Sequence, residues 1–229
     1  MEFYRDAFQA ALSLIAALDP DVADALWRSL RVASLSTLVA GAIGIPLGGL
    51  IALSSFRGKR LVISIFSTLM ALPTVAVGLL LFGLYTRRGA LGHLGLLYTE
   101  PALVTAQIAL SFPIIVRLSI AAVAAVDKRI PQTALTLGAS RWQALGLTLR
   151  EATAGIAVAV ITGYGRAISE VGAAMIVGGN IRGKTRTLTT AITLETSRGE
   201  FSLALAMGLL LLLVFFALNV MILRLQERP

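Results

Sequence analysis

The chain has few of the residues that build reactive or metal-binding sites. It contains no cysteine and a single histidine, His93, among its 229 residues. The absence of cysteine excludes disulfides and thiolate metal sites, and a lone histidine in a glycine-rich loop is more often incidental than a ligand. The sequence therefore predicts neither a catalytic residue nor a metal site.

Charged residues are also scarce. They make up 14% of the chain, whereas 57% is hydrophobic and the mean hydropathy is +0.85; soluble domains carry about 25% charged residues. A membrane crossing needs about 20 apolar residues, and the stretches long enough are 31–55, 61–85, 102–126, 152–178 and 201–223. We predict an all-α membrane protein with about five transmembrane helices. Because so few helices leave little room for a closed pathway in one subunit, we also expect a homodimer.

An acidic N-terminal segment precedes the first span, and it does not have the pattern of a cleavable signal peptide. Its apolar run at 8–18 is too short to cross a membrane and ends at Asp19-Pro20. This pattern predicts an amphipathic helix at the membrane interface, followed by a second short helix from Asp21. We therefore divide the chain into an interfacial segment, 1–25, and a transmembrane domain, 26–225.

The net charge of +8 does not indicate nucleic-acid binding, because the basic residues are scattered over loops and not gathered on one face. Membrane lipid is the surface that such a chain contacts. The loops of the two sides hold equal numbers of basic residues, so the positive-inside rule does not decide the orientation.

One long polar segment, residues 127–151, interrupts the apolar spans. Apolar residues recur at helical spacing on both sides of Gly138, at Ala134, Leu135, Leu137, Trp142, Leu145 and Leu149. The pattern predicts a helix, a glycine turn and a second helix, lying against the membrane face with one side free. That side is either a docking site for a soluble partner or the outer face of a simple connection.

Several features predict how the spans pack. Pro73 and Pro113 lie within spans and predict kinks, because each proline leaves a backbone carbonyl without its helical partner. Glycines of the first span, including Gly44 and Gly48, permit close contact between helices. The last span, 201–223, is nearly all leucine, valine and phenylalanine, which predicts an outer helix facing lipid.

Three charged residues fall inside predicted spans: Arg117, Arg166 and Glu170. A charge near the bilayer centre is costly unless it is paired or faces a cavity. Arg166 and Glu170 are four residues apart and so share one helix face. These residues either line or gate a pathway, or form an ion pair that fixes helix packing.

Residues 178–185 match the Walker A pattern G-x-x-x-x-G-K-[ST]. A P-loop must follow a buried strand and open a helix of a soluble α/β domain, whereas this segment follows an apolar span, so we predict no nucleotide site here. Two interpretations remain. The segment either only connects helices, or its N–H groups attract an oxyanion together with Arg182, Lys184 and Arg186.

The loop at 127–151 resembles the EAA coupling loop of membrane permeases from ATP-binding cassette (ABC) importers, whose form is EAA, three residues, then glycine. Gln132-Thr133-Ala134 stand at the EAA position, Gly138 is the matching glycine, and Arg150-Glu151 replace the terminal Leu-Pro. The resemblance implies that an ATPase partner contacts the residues around this glycine: Gln132, Thr133, Ala134, Gly138, Ala139, Ser140 and Arg141.

The second half of the chain is similar to the sulfate, molybdate and tungstate branch of these permeases. The similar segments are GRAISEVG at 165–172 and GGNI at 178–181. The continuations at 184–192 and 194–199 are most similar to tungstate permeases. The resemblance extends over roughly residues 26–225.

The resemblance implies the type I importer permease fold and a two-fold homodimer. It also implies two cytoplasmic ATPase subunits docked on the coupling loops, with ATP and Mg²⁺ bound there and no cofactor on this chain. An extracytoplasmic binding protein would deliver the anion. The loop at 127–151 and the C-terminus would face the cytoplasm, and the N-terminus and the loop at 179–200 would face outward. Arg182, Lys184 and Arg186 would then lie at the outer mouth of the pathway.

These expectations combine into a permease subunit of the cell inner membrane that imports a tetrahedral oxyanion, with tungstate preferred and molybdate or sulfate as alternatives. Moving a dianion into an inside-negative cell opposes about 4.6 kcal/mol at 100 mV, so the energy must enter through the ATPase partner. An intramembrane enzyme would need a nucleophile with a base or paired carboxylates, and Glu170 is the only acid at that depth. A stand-alone carrier usually has more helices and internal repeats.

Overall fold

The computed structural model describes residues 2–17 and 19–226. These residues are helical throughout, with connecting turns and no strand, as predicted for an all-α protein. A short 3-10 helix, Gly92–Leu94, lies between the fourth and fifth α-helices. The α-helices are α1 (Glu2–Ala16), α2 (Pro20–Leu53), α3 (Lys59–Leu69), α4 (Thr74–Tyr85), α5 (Glu100–Ala124), α6 (Arg129–Thr136), α7 (Arg141–Glu151), α8 (Thr153–Ile168), α9 (Gly172–Gly178), α10 (Leu188–Arg198) and α11 (Phe201–Gln226).

Three of the described helices, α2, α5 and α11, are each long and apolar enough to cross a membrane. Two bent pairs, α3–α4 and α7–α8, raise the number to as many as 5 when each pair is counted as one span. The predicted architecture of about five transmembrane helices is therefore confirmed. Only 17% of the apolar window of α11 is buried within the chain, which agrees with its prediction as an outer helix.

The predicted second span is broken. α3 ends at Leu69, α4 begins after Pro73, and the two axes differ by 93°. Proline restricts the residue before it and has no N–H to donate, so it suits the start of a new helix. The kink predicted at Pro73 is confirmed, whereas α5 continues as one helix through Pro113. The predicted fourth span is also divided, into α8 and α9.

The first span begins earlier than predicted. Asp19 caps α2, since its Oδ1 accepts the N–H groups of Asp21 at 2.9 Å and Val22 at 3.3 Å, and Pro20 occupies the first helical position. The short helix predicted from Asp21 is therefore the first turn of α2, and a boundary after residue 25 lies within this helix. α1 packs against α11. Leu18, the end of the predicted apolar run, lies outside the described residues.

The central scaffold is the pair α2 and α5. A Cβ atom added at Gly48 would lie 2.7 Å from the Cβ of Ser119 and 2.8 Å from the carbonyl oxygen of Val116, so only glycine permits this approach. Ser36 donates a hydrogen bond to Gln107 Oε1 across the same interface, at 3.0 Å. The close contact predicted for the glycines of the first span is confirmed at this position.

The bundle has two distinct ends. The hairpin end carries α6 and α7 together with the last residues of α2. The far end carries the first turns of α2 and α5 and the turn between α9 and α10. Arg28 joins these three elements, because it donates to the carbonyl oxygen of Lys184 at 2.8 Å and lies 3.5 Å from Glu100.

Candidate functional site

The segment predicted to couple to a partner forms a helical hairpin, α6–α7. Gly138 joins the two helices with a φ of +89°. This value lies in the left-handed region, where the backbone of a residue with a side chain would be strained. Open space surrounds the position of its missing Cβ, so the glycine is required for its backbone conformation and not for packing. Ser140 then caps α7 in a capping box, because Ser140 Oγ accepts the Gln143 N–H at 3.3 Å and Gln143 Oε1 accepts the Ser140 N–H at 2.7 Å. The predicted helix–glycine–helix arrangement is confirmed.

One side of the hairpin is anchored and the other is free. Ala144 and Leu145 of α7 are buried, and the latter lies against Gly49 of α2. On the free side Leu137 is 83% exposed and Trp142 is 68% exposed. Exposed apolar side chains on a polar segment are a feature that protein contact surfaces share.

A groove lies between the hairpin and the end of α2. It has a volume of about 720 Å³, and part of its wall is the turn Ser54–Phe56, where Phe56 is exposed. From the hairpin, the groove is lined by Lys128, Pro131, Gln132, Leu135, Arg141, Ala144 and Leu145. The contribution of α2 and its following turn was missed by sequence reasoning, because that turn is 70 or more residues from the hairpin in the chain.

The residues predicted to contact the ATPase partner lie together on this hairpin. Gln132, Thr133, Gly138, Ser140 and Arg141 are exposed, and the two alanines, Ala134 and Ala139, are half-buried. Their role in coupling stays a prediction. Leu137 and Trp142 were absent from the predicted contact set, although apolar residues in a polar loop are a usable signal.

Arg166 and Glu170 form the predicted ion pair at the junction of α8 and α9. Arg166 Nη1 lies 2.9 Å from Glu170 Oε2, and the Glu170 side chain is only 1% exposed. Glu170 Oε1 also accepts the N–H of Ala173 at 2.8 Å, at the start of α9, and Thr189 of α10 donates to the Glu170 carbonyl oxygen at 2.7 Å. The carboxylate of Glu170 therefore joins α8 to α9, and its backbone carbonyl oxygen joins this break to α10.

The other predicted intramembrane charge, Arg117 of α5, is separate from that pair. Its Nε donates to Ser67 Oγ of α3 at 3.0 Å. No carboxylate among the described residues lies within ion-pair distance of its guanidinium, although such pairs form elsewhere in the chain. A hydroxyl positions this cation without neutralising it.

The turn at 178–185, which matches the Walker A pattern, is closed by its own hydrogen bonds. The carbonyl oxygen of Ile181 accepts the N–H groups of Lys184, Thr185 and Arg186, and Thr185 Oγ1 accepts the Ile181 N–H at 3.0 Å. Positive φ values at Gly179, Asn180 and Gly183 shape the turn. The N–H groups of Ile181, Lys184, Thr185 and Arg186 are therefore engaged within the turn and are not free to bind a phosphate-like anion.

The three cations predicted to form an outer cluster lie in different environments. Arg182 is exposed and its Nε lies 2.6 Å from Asp21 Oδ1; this hydrogen bond raises the pKa of the guanidinium, which stays charged. Arg186 is buried, with Nη1 3.5 Å from Glu195. Lys184 is exposed. Arg186 is therefore not exposed with the other two cations, because folding places its side chain inside the protein beside an acid. The attraction of an anion by the three residues stays a prediction.

Comparison with known proteins identifies the family. The model of the family described as binding-protein-dependent transport system inner membrane component matches residues 44–228. The chain belongs to this family. It is 42% identical over 227 residues to the tungstate uptake system permease protein TupB of Peptoclostridium acidaminophilum, covering 99% of this chain and 100% of that protein. It is 38% identical to TupB of Campylobacter jejuni over 219 residues, covering 96% and 92% of the two chains.

The fold of the permease agrees with this assignment. A bacterial alginate ABC transporter, solved with its alginate-bound periplasmic protein, matches with a TM-score of 0.76. The match covers 100% of this chain and 88% of that chain at 18% identity, so it shows the fold alone. The permease thus has the ABC importer permease fold predicted from the sequence.

The predicted site residues of the permease fall into three separate groups. The coupling residues lie at the hairpin end, the charges Arg117, Arg166 and Glu170 lie within the spans, and Arg182, Lys184 and Arg186 lie at the far end. Among the described residues, no group of three or more histidine, aspartate or glutamate side chains could hold a metal ion. Among the described residues, the hairpin and Arg117 both leave binding groups free.

Proposed function

We propose that this permease is the membrane-spanning subunit of an ABC importer for tungstate, a tetrahedral dianion. Its full-length similarity to tungstate uptake permeases is the observation that carries the proposal. The chain would itself catalyse no reaction. Separate ATPase subunits would bind ATP and Mg²⁺, and a binding protein outside the cell would deliver the anion.

The hairpin α6–α7 is the proposed contact for the ATPase. It presents Trp142 and Leu137 beside polar residues that include Gln132 and Arg141, and an apolar centre within a polar rim is typical of protein interfaces. The groove beside Phe56 offers a place for a partner's side chains to insert. Closure of the ATPase dimer would then move the hairpin, and α7 would transmit that motion to α2 through Leu145.

Two copies of the chain are proposed for each transporter. No residue of α3 is fully buried within one chain. This exposure supports the presence of a second subunit, or of a shared pathway, beside α3. A two-fold dimer would enclose a pathway between the subunits. In this arrangement the hairpin end and the C-terminus face the cytoplasm, and the far end with the N-terminus faces outward.

The test is uptake of isotope-labelled tungstate by cells that carry the complete transporter, with unlabelled molybdate and sulfate as competitors. We expect uptake to disappear when this chain is deleted and to compete in the order tungstate, molybdate, sulfate. Stronger competition by molybdate or sulfate than by unlabelled tungstate would reassign the anion. Purification of the tagged chain should also recover a second copy and the ATPase; its isolation without an ATPase would contradict the importer assignment.

A further inference from the structure

Arg117 differs from the other arginine in the middle of the spans. Arg166 has Glu170 as a buried partner at 2.9 Å, so their charges cancel. Among the described residues, the one side chain bonded to Arg117 is Ser67, whose hydroxyl is neutral. Charges within a membrane face the bundle interior or a water-filled cavity, so an uncompensated arginine at this depth indicates contact with water or with an anion.

The binding groups of Arg117 are open. Of its guanidinium nitrogens, only Nε makes a hydrogen bond with a side chain of the described residues. Its two Nη nitrogens are therefore available as a fork, the geometry that binds oxyanions through two parallel hydrogen bonds. Ser67 acts as a positioning residue, because it directs this fork without occupying it.

The helix beside Arg117 has two unlike faces. Val62, Ile63 and Phe66 of α3 pack toward the core of α2 and α5. The opposite face exposes the hydroxyl residues Ser64, Ser67 and Thr68, which lie together because residues three and four apart share a helix face. Exposed apolar residues, Leu61 and Ile65, flank this face. Ser67 and Thr68 donate their hydroxyls to carbonyl oxygens of α3 itself, at 3.0 Å each, so the attraction of an anion to this polar face comes from the cation beside it.

The position of this face also suits a pathway. Arg117 precedes the end of α5 by seven residues, or about 10 Å of helix, so it lies in the part of the membrane nearer the hairpin. The exposed residues Ala71–Pro73 continue from the same face into the 93° bend between α3 and α4. An anion that leaves the middle of the bundle toward the hairpin end would pass this point.

We propose that Arg117, which is held by Ser67 on the hydroxyl-bearing face of α3, is a transient binding site for the tetrahedral oxyanion within the membrane. This inference rests on the proposed function for the identity of the anion. In a homodimer, two copies of Arg117 would balance the charge of one dianion. The Arg166–Glu170 pair then stabilises the junction of α8 and α9 and is not part of this binding site.

The chain has no cysteine, so Ser64→Cys introduces a single thiol into this chain, one turn of α3 from the residue that contacts Arg117, Ser67. The complete transporter carrying this change is reconstituted in liposomes and treated with negatively and positively charged methanethiosulfonate reagents. We expect both reagents to react, because these reagents require a water-exposed thiol. Millimolar tungstate should slow the reaction with the negative reagent.

Adding Arg117→Gln to the Ser64→Cys protein should lower the rate at which its thiol reacts with the negatively charged reagent about threefold. This is the effect of one unit charge at about 6 Å in a water-like dielectric. Arg117→Lys should preserve that rate and weaken protection by tungstate, because the charge remains while the fork is lost. The matched control is Arg88→Gln, the same change at an exposed loop residue, which should alter neither rate nor protection.

Two results would contradict the proposed binding site at Arg117. Failure of the introduced thiol to react would show that lipid or protein covers the face. Reaction rates that do not respond to Arg117→Gln would show that the cation is neutralised, for example by an acid of the second copy. A failure of the proposed function would give a different result. If another oxyanion slows the thiol reaction and tungstate does not, while Arg117→Gln still lowers the rate, the binding site is supported and the tungstate assignment is contradicted.

Discussion

Removing the carboxylate of Glu170 would test how the middle of the permease is held together. This side chain is 1% exposed, and it bonds both Arg166, which is 28% exposed, and the N–H of Ala173. Removing one partner of a buried ion pair costs about 3–5 kcal/mol, and losing a helix cap costs about 1 kcal/mol. Because water can reach Arg166, we expect Glu170→Ala to lower the free energy of unfolding by about 4 kcal/mol, at the lower end of that sum.

The assay is denaturation of the detergent-solubilised protein, followed by tryptophan fluorescence. Glu170→Gln keeps an acceptor for the Ala173 N–H but leaves Arg166 without a counter-charge, so it separates the cap from the ion pair. The double change Arg166→Gln with Glu170→Gln restores neutrality. We expect the double variant to be more stable than the sum of the single effects predicts, by at least about 1 kcal/mol.

Additive effects in this double-mutant cycle would refute the reasoning, since independent residues give no coupling energy. Transport provides a second reading of the same variants. If the double variant regains stability but transports nothing, the pair also has a role in the pathway, and the assignment of Arg166 as a purely structural residue is wrong.

Three further predictions concern the two ends and the scaffold. Gly138→Asp should remain in the membrane but lose transport-linked ATPase stimulation, because φ is +89° there; Gly146→Ala, in open space on α7, is the control. Arg186→Gln should destabilise the protein by about 2 kcal/mol or more, because its partner Glu195 is buried, whereas Arg182→Gln removes an exposed pair and should have a smaller effect; thermal denaturation compares them. Gly48→Leu should reduce the yield of monodisperse protein in size-exclusion chromatography, because its Cβ alone would collide with α5.

Each of these predictions has a contradicting outcome. Normal ATPase stimulation in Gly138→Asp would remove the hairpin from the coupling pathway. Equal losses of stability at Arg182 and Arg186 would mean that burial does not separate them, and wild-type yield of Gly48→Leu would show that α2 and α5 can move apart.

Much of the fold could be predicted from the sequence because its signals are local. Apolar runs of spanning length locate the transmembrane segments, and the polar helix–glycine–helix pattern around Gly138 predicts the hairpin. The four-residue spacing of Arg166 and Glu170 likewise predicts their pairing, since one helix turn brings them together. By contrast, the break at 169–171 was not predicted, because one of the bonds that hold it comes from α10: Thr189 donates to the Glu170 carbonyl oxygen from 19 residues further along the chain.

What the sequence determined by itself is the class of molecule: an all-α membrane protein with a polar hairpin and a few intramembrane charges, because hydropathy and helical period are properties of neighbouring residues. Only the tertiary structure decided which charges are free. Asp21 meets Arg182 across 161 positions of the chain, Glu195 meets Arg186 after a turn, and Arg117 meets a hydroxyl. The distances between these side chains depend on how helices pack, and no local pattern specifies that packing.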